Sequence, residues 1–447
     1  MQRKFAGMAL LAGGALLSAC AGTTTQKAGL DRSDVKVYEA QADALDLGLA
    51  AFKGGKTLKL NIGIGSGAYF DKSGDENVLY TVSDRGPNIK CKDSEKVIGL
   101  STAQVCQGDK KGKIFPMPQF APSIYKVRLN PDNTFAIEKT LVISDRTGQP
   151  VGGVSNPLKQ TNTEYAYSPD GSRLPMSAAG LDTEAIVKLS DGSFWLSEEY
   201  GPSIIHVGAD GRIIERIVPA GLEKDLAEAH YTVTGKLPSV WKKRKLNRGI
   251  ESMAVSGDEN YLYFSLQSPL ANPNGKTYKK SRIVRLGQYD LKQGRMVGEY
   301  VYVLDLPTSF LADNKKKKRK QSDVKVSELR WMAPNRLLVL ERISKSTKFY
   351  EVDLSQATNI LASPWDMESK SPTLSSLNVS DLERKHGIRF AHKKLALWSE
   401  NIPKMPSKVE GIGIVDAKTL MFVNDNDFGI MGAKTQIVTV PLKKPLY

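Results

Sequence analysis

Short apolar runs recur in pairs along this chain, each pair split by a turn, and the same arrangement returns several times. "LDTEAIVKLSDGSFWLSEEYGP" (181–202), "RGIESMAVSGDENYLYFSLQSPL" (248–270), "VSELRWMAPNRLLVLERI" (326–343) and "KVEGIGIVDAKTLMFVNDNDFG" (408–429) share one order. An apolar run is followed by a turn rich in Gly, Asp, Asn or Pro, then a β-rich run, then a polar ending. "IGSGAYFDKSGDENVLYTVSDRGPN" (64–88) is a looser copy without the glutamate. Such pairs predict antiparallel hairpins. A third run follows each hairpin, as in "SIYKVRL" at 123 and "TQIVTVPL" at 435, and most units add a fourth, as in "AIEKTLVIS" at 136 and "KKLALWSE" at 393.

Four antiparallel strands per unit, repeated along the chain, is the pattern of a propeller. The predicted fold class is all-β: a β-propeller of five to six four-stranded antiparallel blades. The last unit lacks its own fourth strand, and the N-terminal "DVKVYEA" (34–40) can supply it and close the ring. Successive glutamates at 184, 251, 328 and 410 stand 67 to 82 residues apart, more than one blade requires, so long loops must decorate the faces. Helix-period patterning is scarce, and "GLEKDLAEAH" (221–230) is the best short candidate.

In an antiparallel hairpin the start of the first strand lies beside the end of the second. This places Glu184 near Glu198 and Glu199, Glu251 near Gln267, and Glu328 near Glu341 and Arg342. Glu410 falls near Asn424, Asp425, Asn426 and Asp427, and Asp84 with Arg85 takes the matching point in the first unit. Innermost strands line a propeller's channel, so these groups converge on one mouth of it. Convergent carboxylates need neutralising, because burying them unpaired costs several kcal/mol each. A hard cation is one solution: Glu184, Glu251, Glu328, Glu410, Asn424 and Asp425 are candidate ligands, and Ca²⁺ suits such oxygen donors. The neighbouring Arg85, Arg248 and Arg342 are the other solution, through ion pairs that require no metal.

The same arginines suit an anionic small-molecule substrate, because guanidinium binds phosphate or carboxylate bidentately. Arg85, Arg248, Arg342 and Tyr200 are therefore candidate substrate-binding residues. Glu184, Glu198 and Glu199 are candidate catalytic carboxylates, able to orient an attacking water. Other constellations are weak. "GIGSG" (63–67) lacks nucleophile-elbow spacing, "SIYK" at 123 sits in a strand, and no phosphate-binding Gly-rich loop is present. "HGIRFAH" (386–392) holds two of only four histidines and reads as an irregular insertion.

Composition changes the picture mainly at the N-terminus. The 447 residues are 40% hydrophobic and 25% charged, ordinary for a globular chain, and no later stretch is apolar for long enough to span a bilayer. Arg3 and Lys4 precede an apolar run, Phe5 to Leu17, and then Leu17-Ser18-Ala19-Cys20. That is the order of an export signal, residues 1–19, and its ending resembles a bacterial lipobox with Cys20 lipidated. A plain secretory signal cut nearby is the alternative. Residues 20–33 then form a lipidated tether and 34–447 the propeller domain. Ala21 is not aspartate, which points to the outer membrane facing the periplasm, with membrane contact through the lipid only. Cys91 and Cys106, 15 positions apart, are expected to pair there, for about 3 kcal/mol. The formal charge of +15, or +13 without Arg3 and Lys4, favours phosphate-rich partners, though no specific nucleic-acid motif is present. Part of it sits in "DNKKKKRKQSD" (313–323), which reads as a solvated loop.

The segments "SDRGPN", "LDTEAI" with "SEEYGP", "NRGIESMAV" with "QSPL", "SELRWM" with "LLVLERI", and "VEGIGIV" with "NDNDFG" together resemble the phytase-like family, described by its esterase-like activity of phytase. They run in family order from about residue 57 to 441. Glycine commonly follows the glutamate in these motifs; here Gly411 does so, whereas Ala185, Ser252 and Leu329 replace it. The resemblance implies a propeller and hydrolysis of phosphate or other esters, and phosphate-ester hydrolysis assisted by Ca²⁺ is the function expected. A metal-dependent lactonase or carboxylic esterase, and a non-catalytic binding propeller, are the alternatives.

Overall fold

The alternation of apolar and polar residues resolves into stacked sheets. The computed structural model describes residues 34–446 apart from 73, 75 and 76, so the signal-like segment, Cys20 and the tether lie outside the described residues. Among the described residues the strands form five successive modules. The first runs Gly67–Phe70, Val78–Val82, Ser123–Leu129 and Thr134–Val142. The second runs Thr183–Lys188, Phe194–Glu198, Ser203–Val207 and Ile213–Pro219. The third is Ile250–Val255, Tyr261–Leu266, Ile283–Asp290 and Arg295–Val303. The fourth is Lys325–Ala333, Arg336–Arg342, Thr347–Asp353 and His392–Trp398. The fifth joins Val409–Asp416, Thr419–Asn424 and Gln436–Pro441 to the N-terminal strand Lys36–Ala40.

That last pairing is antiparallel, with Val37 opposite Val438 and Tyr38 opposite Ile437. The same strand touches Thr134 and Phe135 in parallel, which fuses the first and fifth modules into one eight-stranded sheet. The first strand of each module packs on that of the next, and Val409–Asp416 packs back on Gly67–Phe70. The fold is mostly β, built of several sheets in a propeller-type arrangement.

Apolar side chains fill each seam between modules. Val82 and Ile124 meet Ile186 and Leu196 at the first seam. Val187 and Trp195, then Met253 and Phe264, then Leu329 and Val339 form one continuous cluster across the next two. Leu338 and Phe349 meet Ile412 and Phe422, and Leu79 and Val127 meet Met421 and Val423. Each such burial stabilises by roughly 1.5–3 kcal/mol, so the seams hold the modules in register around the channel.

Several details differ from the sequence reading. The second module carries a fifth strand, Thr232–Leu237, parallel to Ile213–Pro219. The helix expected over 221–230 is only a 3₁₀ turn, Leu222–Leu226, and it follows Gly221 in a left-handed conformation. His386 ends a short helix, Val379–His386, and His392 opens a strand, His392–Trp398. Cys91 and Cys106 are joined in a disulfide. It anchors an insertion whose core also contains Ile89, Ile98 and Val105, and which packs on Phe52 and Leu60 of an N-terminal hairpin. That insertion reaches over one end of the channel.

Candidate functional site

The opening residues of the inner strands converge on a cavity of about 350 Å³ at one channel mouth. Glu184, Glu251 and Glu410 are each the second residue of their strand, and all three line it. Close backbone approach makes this possible: a side-chain carbon on Gly249 would lie 2.2 Å from the Glu199 carbonyl oxygen of the neighbouring module.

Asp182, Glu184 and Glu199 form its centre. One carboxylate oxygen from each lies within 4.8 Å of the others. Glu199 is oriented by two carboxamides: Gln267 Nε2 donates to its Oε1 at 2.7 Å and Asn247 Nδ2 donates to its Oε2. Arg248 in turn donates to Gln267 Oε1. Burial, and then the charges of Glu199 and Asp182, push the Glu184 carboxyl well above the usual carboxylate range. Burial, and then Glu251 and Asp182, do the same to Glu199. Asp84 is raised by burial and by Asp182, and Asp425 is pushed up to about 6 by burial and Asp427.

Cations stand among these carboxylates, and Arg85 Nη1 lies 3.6 Å from Asp182 Oδ2. Arg342 pairs with Glu410 and stands 3.8 Å from Glu251. Lys325 Nζ is 3.5 Å from Glu251 and 4.0 Å from Glu410. Burial, and then Arg342, pull the Lys325 ammonium down to about 8. Burial raises Glu251, but Lys325, Arg342 and Arg248 outweigh it and leave that carboxyl below its ordinary value. Lys408 pairs with Asp427 beside Asp425.

Four sequence-predicted site residues do not face the cavity. Glu328 is the fourth residue of its strand rather than the second, because Lys325–Ala333 begins earlier than its counterparts. At about 3.3 Å per residue this sets it deeper in the channel. There it is fully buried, with Oε2 2.8 Å from Arg330 Nη2, and Lys325 stands at the mouth in its place. Glu198 points away from its neighbour Glu199, as strand alternation requires. It is fully buried, pairs with Arg216 at 2.9 Å and accepts from the N–H groups of Asp182, Tyr200 and Gly201. The Tyr200 hydroxyl meets Thr163 Oγ1 at 2.6 Å and accepts from Glu164 N at 2.7 Å. Asn424 accepts from Gln436 N at 2.7 Å and donates to the Lys434 carbonyl at 3.0 Å, so it pins the hairpin end.

Arg85 borders the cavity, but its guanidinium is committed to Gly153 O, Ser155 Oγ and Glu164, over the Tyr200 ring. Sequence reasoning missed Asp182, Lys325, Asn247, Lys90 and Lys113. Asp182 immediately precedes the second-module strand within the quoted "LDTEAI", and Asn247 opens the quoted "NRGIESMAV", so both had a signal available. Lys90 and Lys113 come from the disulfide-bearing insertion, whose position no hairpin pattern encodes.

A family model described as "Phytase-like: Esterase-like activity of phytase" matches residues 61–428. A secreted protein of Arthroderma benhamiae, described as uncharacterized, is 24% identical over 282 residues, covering 58% of this chain and 54% of its own length. The chain thus spans about half the length of that relative. Among solved structures, a gluconolactonase from Xanthomonas campestris superposes with a TM-score of 0.32 at 10% identity, over 93% of this chain and 97% of that one. A PQQ-bound aldose sugar dehydrogenase from Streptomyces coelicolor gives 0.30 at 8% identity, over 92% and 98%.

Proposed function

The chain belongs to the phytase-like family, and from that premise we propose that it hydrolyses ester bonds of anionic small molecules in this cavity, with a divalent cation held by Asp182, Glu184 and Glu199. The observation that carries the proposal is the convergence of those three buried carboxylates. The donor set fits a hard cation such as Ca²⁺, being all oxygen. Glu251 Oε2, buried in the same cavity without a hydrogen-bond partner, adds a further acceptor. A cation held there would polarise the scissile carbonyl or phosphoryl oxygen as a Lewis acid.

The chain's own groups supply the rest. Gln267 and Asn247 fix the Glu199 carboxylate. Arg248 faces an anionic group of the substrate, whereas Arg342 is committed to Ser327 Oγ, the Ile343 carbonyl and Glu410. Lys325 holds its proton at neutral pH and is placed to release it toward a departing oxygen. The proposal takes the five modules as five blades of a ring closed by Lys36–Ala40, which brings residues from 84 to 427 to one mouth.

Charge balance bears on the substrate. The lining carries nine carboxylates against eight cationic side chains, and Arg342, Lys325 and Lys408 already face carboxylates. A carboxylic ester or lactone with little charge at the reacting centre suits this better than a crowded phosphate. Phosphomonoester hydrolysis is the second reading, favoured by Arg248 and Arg342 standing near Lys325. Purified protein assayed on matched lactones, carboxylic esters and phosphomonoesters, with Ca²⁺ and after chelation, distinguishes the two. Full turnover in both Glu184→Gln and Glu199→Gln would sink the site.

Export with a lipid on Cys20 extends the proposal, holding the cavity at the periplasmic side of an outer membrane. Incorporation of labelled palmitate that persists in Cys20→Ser would reject it.

A further inference from the structure

The exposed run Lys315–Lys318 is not a slack surface loop. Both of its ends are tied to the cavity rim. On the N-terminal side, the buried Asp313 carboxylate accepts from the N–H groups of Ser344, Lys345 and Ser346, at 3.1, 3.0 and 2.7 Å. Ser344 lines the cavity. On the C-terminal side, Arg319 also lines it, and its N–H donates to Asn314 Oδ1 at 2.9 Å while Nε donates to the Asp313 carbonyl at 3.1 Å. Residues 314 and 319 are thereby stapled together, so the four lysines form a closed bulge. Asn314 Nδ2 fixes its base by donating to the carbonyls of Pro307 and Phe310. Exposed Lys90 and Lys345 stand on the same rim.

The cavity itself is nearly charge-balanced, and the positive excess of this face lies outside it. We propose that Lys315–Lys318 capture a second anionic group of the substrate, remote from the reacting ester, so that the natural substrate is a small molecule with separated anionic groups. This rests on the hydrolase reading above and adds the substrate class to it. A tethered cluster of four like charges beside a cavity raises the local concentration of anions and their association rate, and its effect fades with salt. The four lysines act on capture and leave the chemical step alone.

The full chain is compared with the quadruple variant Lys315→Gln, Lys316→Gln, Lys317→Gln and Lys318→Gln, and with the matching all-Arg variant as a charge-preserving control. Binding of inorganic tripolyphosphate is measured by calorimetry at two salt concentrations, and hydrolysis is measured on a neutral and a dianionic aryl ester. The expected result for the Gln variant is about tenfold weaker tripolyphosphate binding, a similar rise in KM for the dianionic ester only, unchanged kcat, and rescue by arginine. Equal tripolyphosphate affinity in wild type and Gln variant overturns the proposal. So does lysine-dependent binding to vesicles containing anionic lipid with tripolyphosphate binding unaltered, because the run would then serve a membrane surface. Lysine-dependent tripolyphosphate binding without hydrolysis of either ester, of a lactone or of a phosphomonoester keeps the capture rim and rejects the hydrolase reading.

Discussion

Arg330 Nη2 lies 2.8 Å from Glu328 Oε2, and this buried pair closes the channel beneath the cavity. The same guanidinium donates to the Ile412 carbonyl at 2.7 Å, the Leu329 carbonyl at 2.8 Å, and the carbonyls of Met253 and Ala68. One side chain thus ties together the inner strands of the first, third, fourth and fifth modules. Arg330→Met would strand several carbonyls and an unpaired buried carboxyl, for a loss of about 3–5 kcal/mol. Arg330→Lys should recover little, since an ammonium cannot span the fork. Urea unfolding measures both, and a cost below about 1 kcal/mol for the Met variant would show that the plug is not structural.

Glu328 gives that plug a pH signature. Burial pushes its carboxyl up to about 8, against the pull of Arg330 and of two backbone N–H groups. The folded state therefore keeps a proton that the unfolded chain releases near pH 4.5. Between these values the folded state binds more protons, so this group lowers stability as pH rises from about 4.5 to 8. Glu328→Gln removes the titration. Its melting temperature should fall less steeply than wild type across that window, and identical slopes would contradict the assignment.

The pairing of Lys36–Ala40 with Gln436–Pro441 makes a separate prediction. Lys36–Ala40 completes the fifth module, and Tyr38 is buried against the cluster holding Leu79 and Met421. Removing residues 34–40 exposes Gln436–Pro441 as an unpaired edge, which invites association. The truncated protein is expected to melt at a lower temperature and to oligomerise, as read by light scattering. A monomer of unchanged stability would argue against closure by this strand.

How much of this was legible in the sequence depends on the scale asked about. Period-two apolar runs gave the hairpins, and the fixed place of glutamate at the second strand position brought Glu184, Glu251 and Glu410 together. The same rule failed for Glu328 because strand starts are set by tertiary pairing: Lys325 opposes Arg342 and extends the fourth inner strand toward the mouth. It failed for Glu198 because two adjacent glutamates at a strand end cannot share a face. Arg216, the partner that takes Glu198, comes from another strand of its own module and carries no local signal.

Those two adjacent glutamates should separate cleanly in experiment. Glu199→Gln and Glu184→Gln remove donors from the candidate cation site, and Ca²⁺ affinity by calorimetry should fall at least about tenfold in each. Glu198→Gln should leave that affinity near wild type but lower stability by about 3–5 kcal/mol, because Arg216 then loses its buried partner. Equal effects of Glu198→Gln and Glu199→Gln on Ca²⁺ binding would undo the distinction.

Lys325 makes the most direct prediction for turnover. Its ammonium is pulled down to about 8 by burial and Arg342, from an ordinary 10.5. The folded state therefore gives up a proton that the unfolded chain keeps between those values. Stability from this group rises as pH climbs from about 8 to 10.5, while any activity that needs the ammonium declines through about 8. Hydrolysis should thus show an alkaline limb near pH 8. Lys325→Arg keeps the charge across the range and should remove the limb, even at reduced kcat. Lys325→Met should lose most activity and leave Glu251 with only Arg342 and Arg248 as counter-charges. A limb unchanged in Lys325→Arg would assign it to another group and remove Lys325 from the proton-donating role.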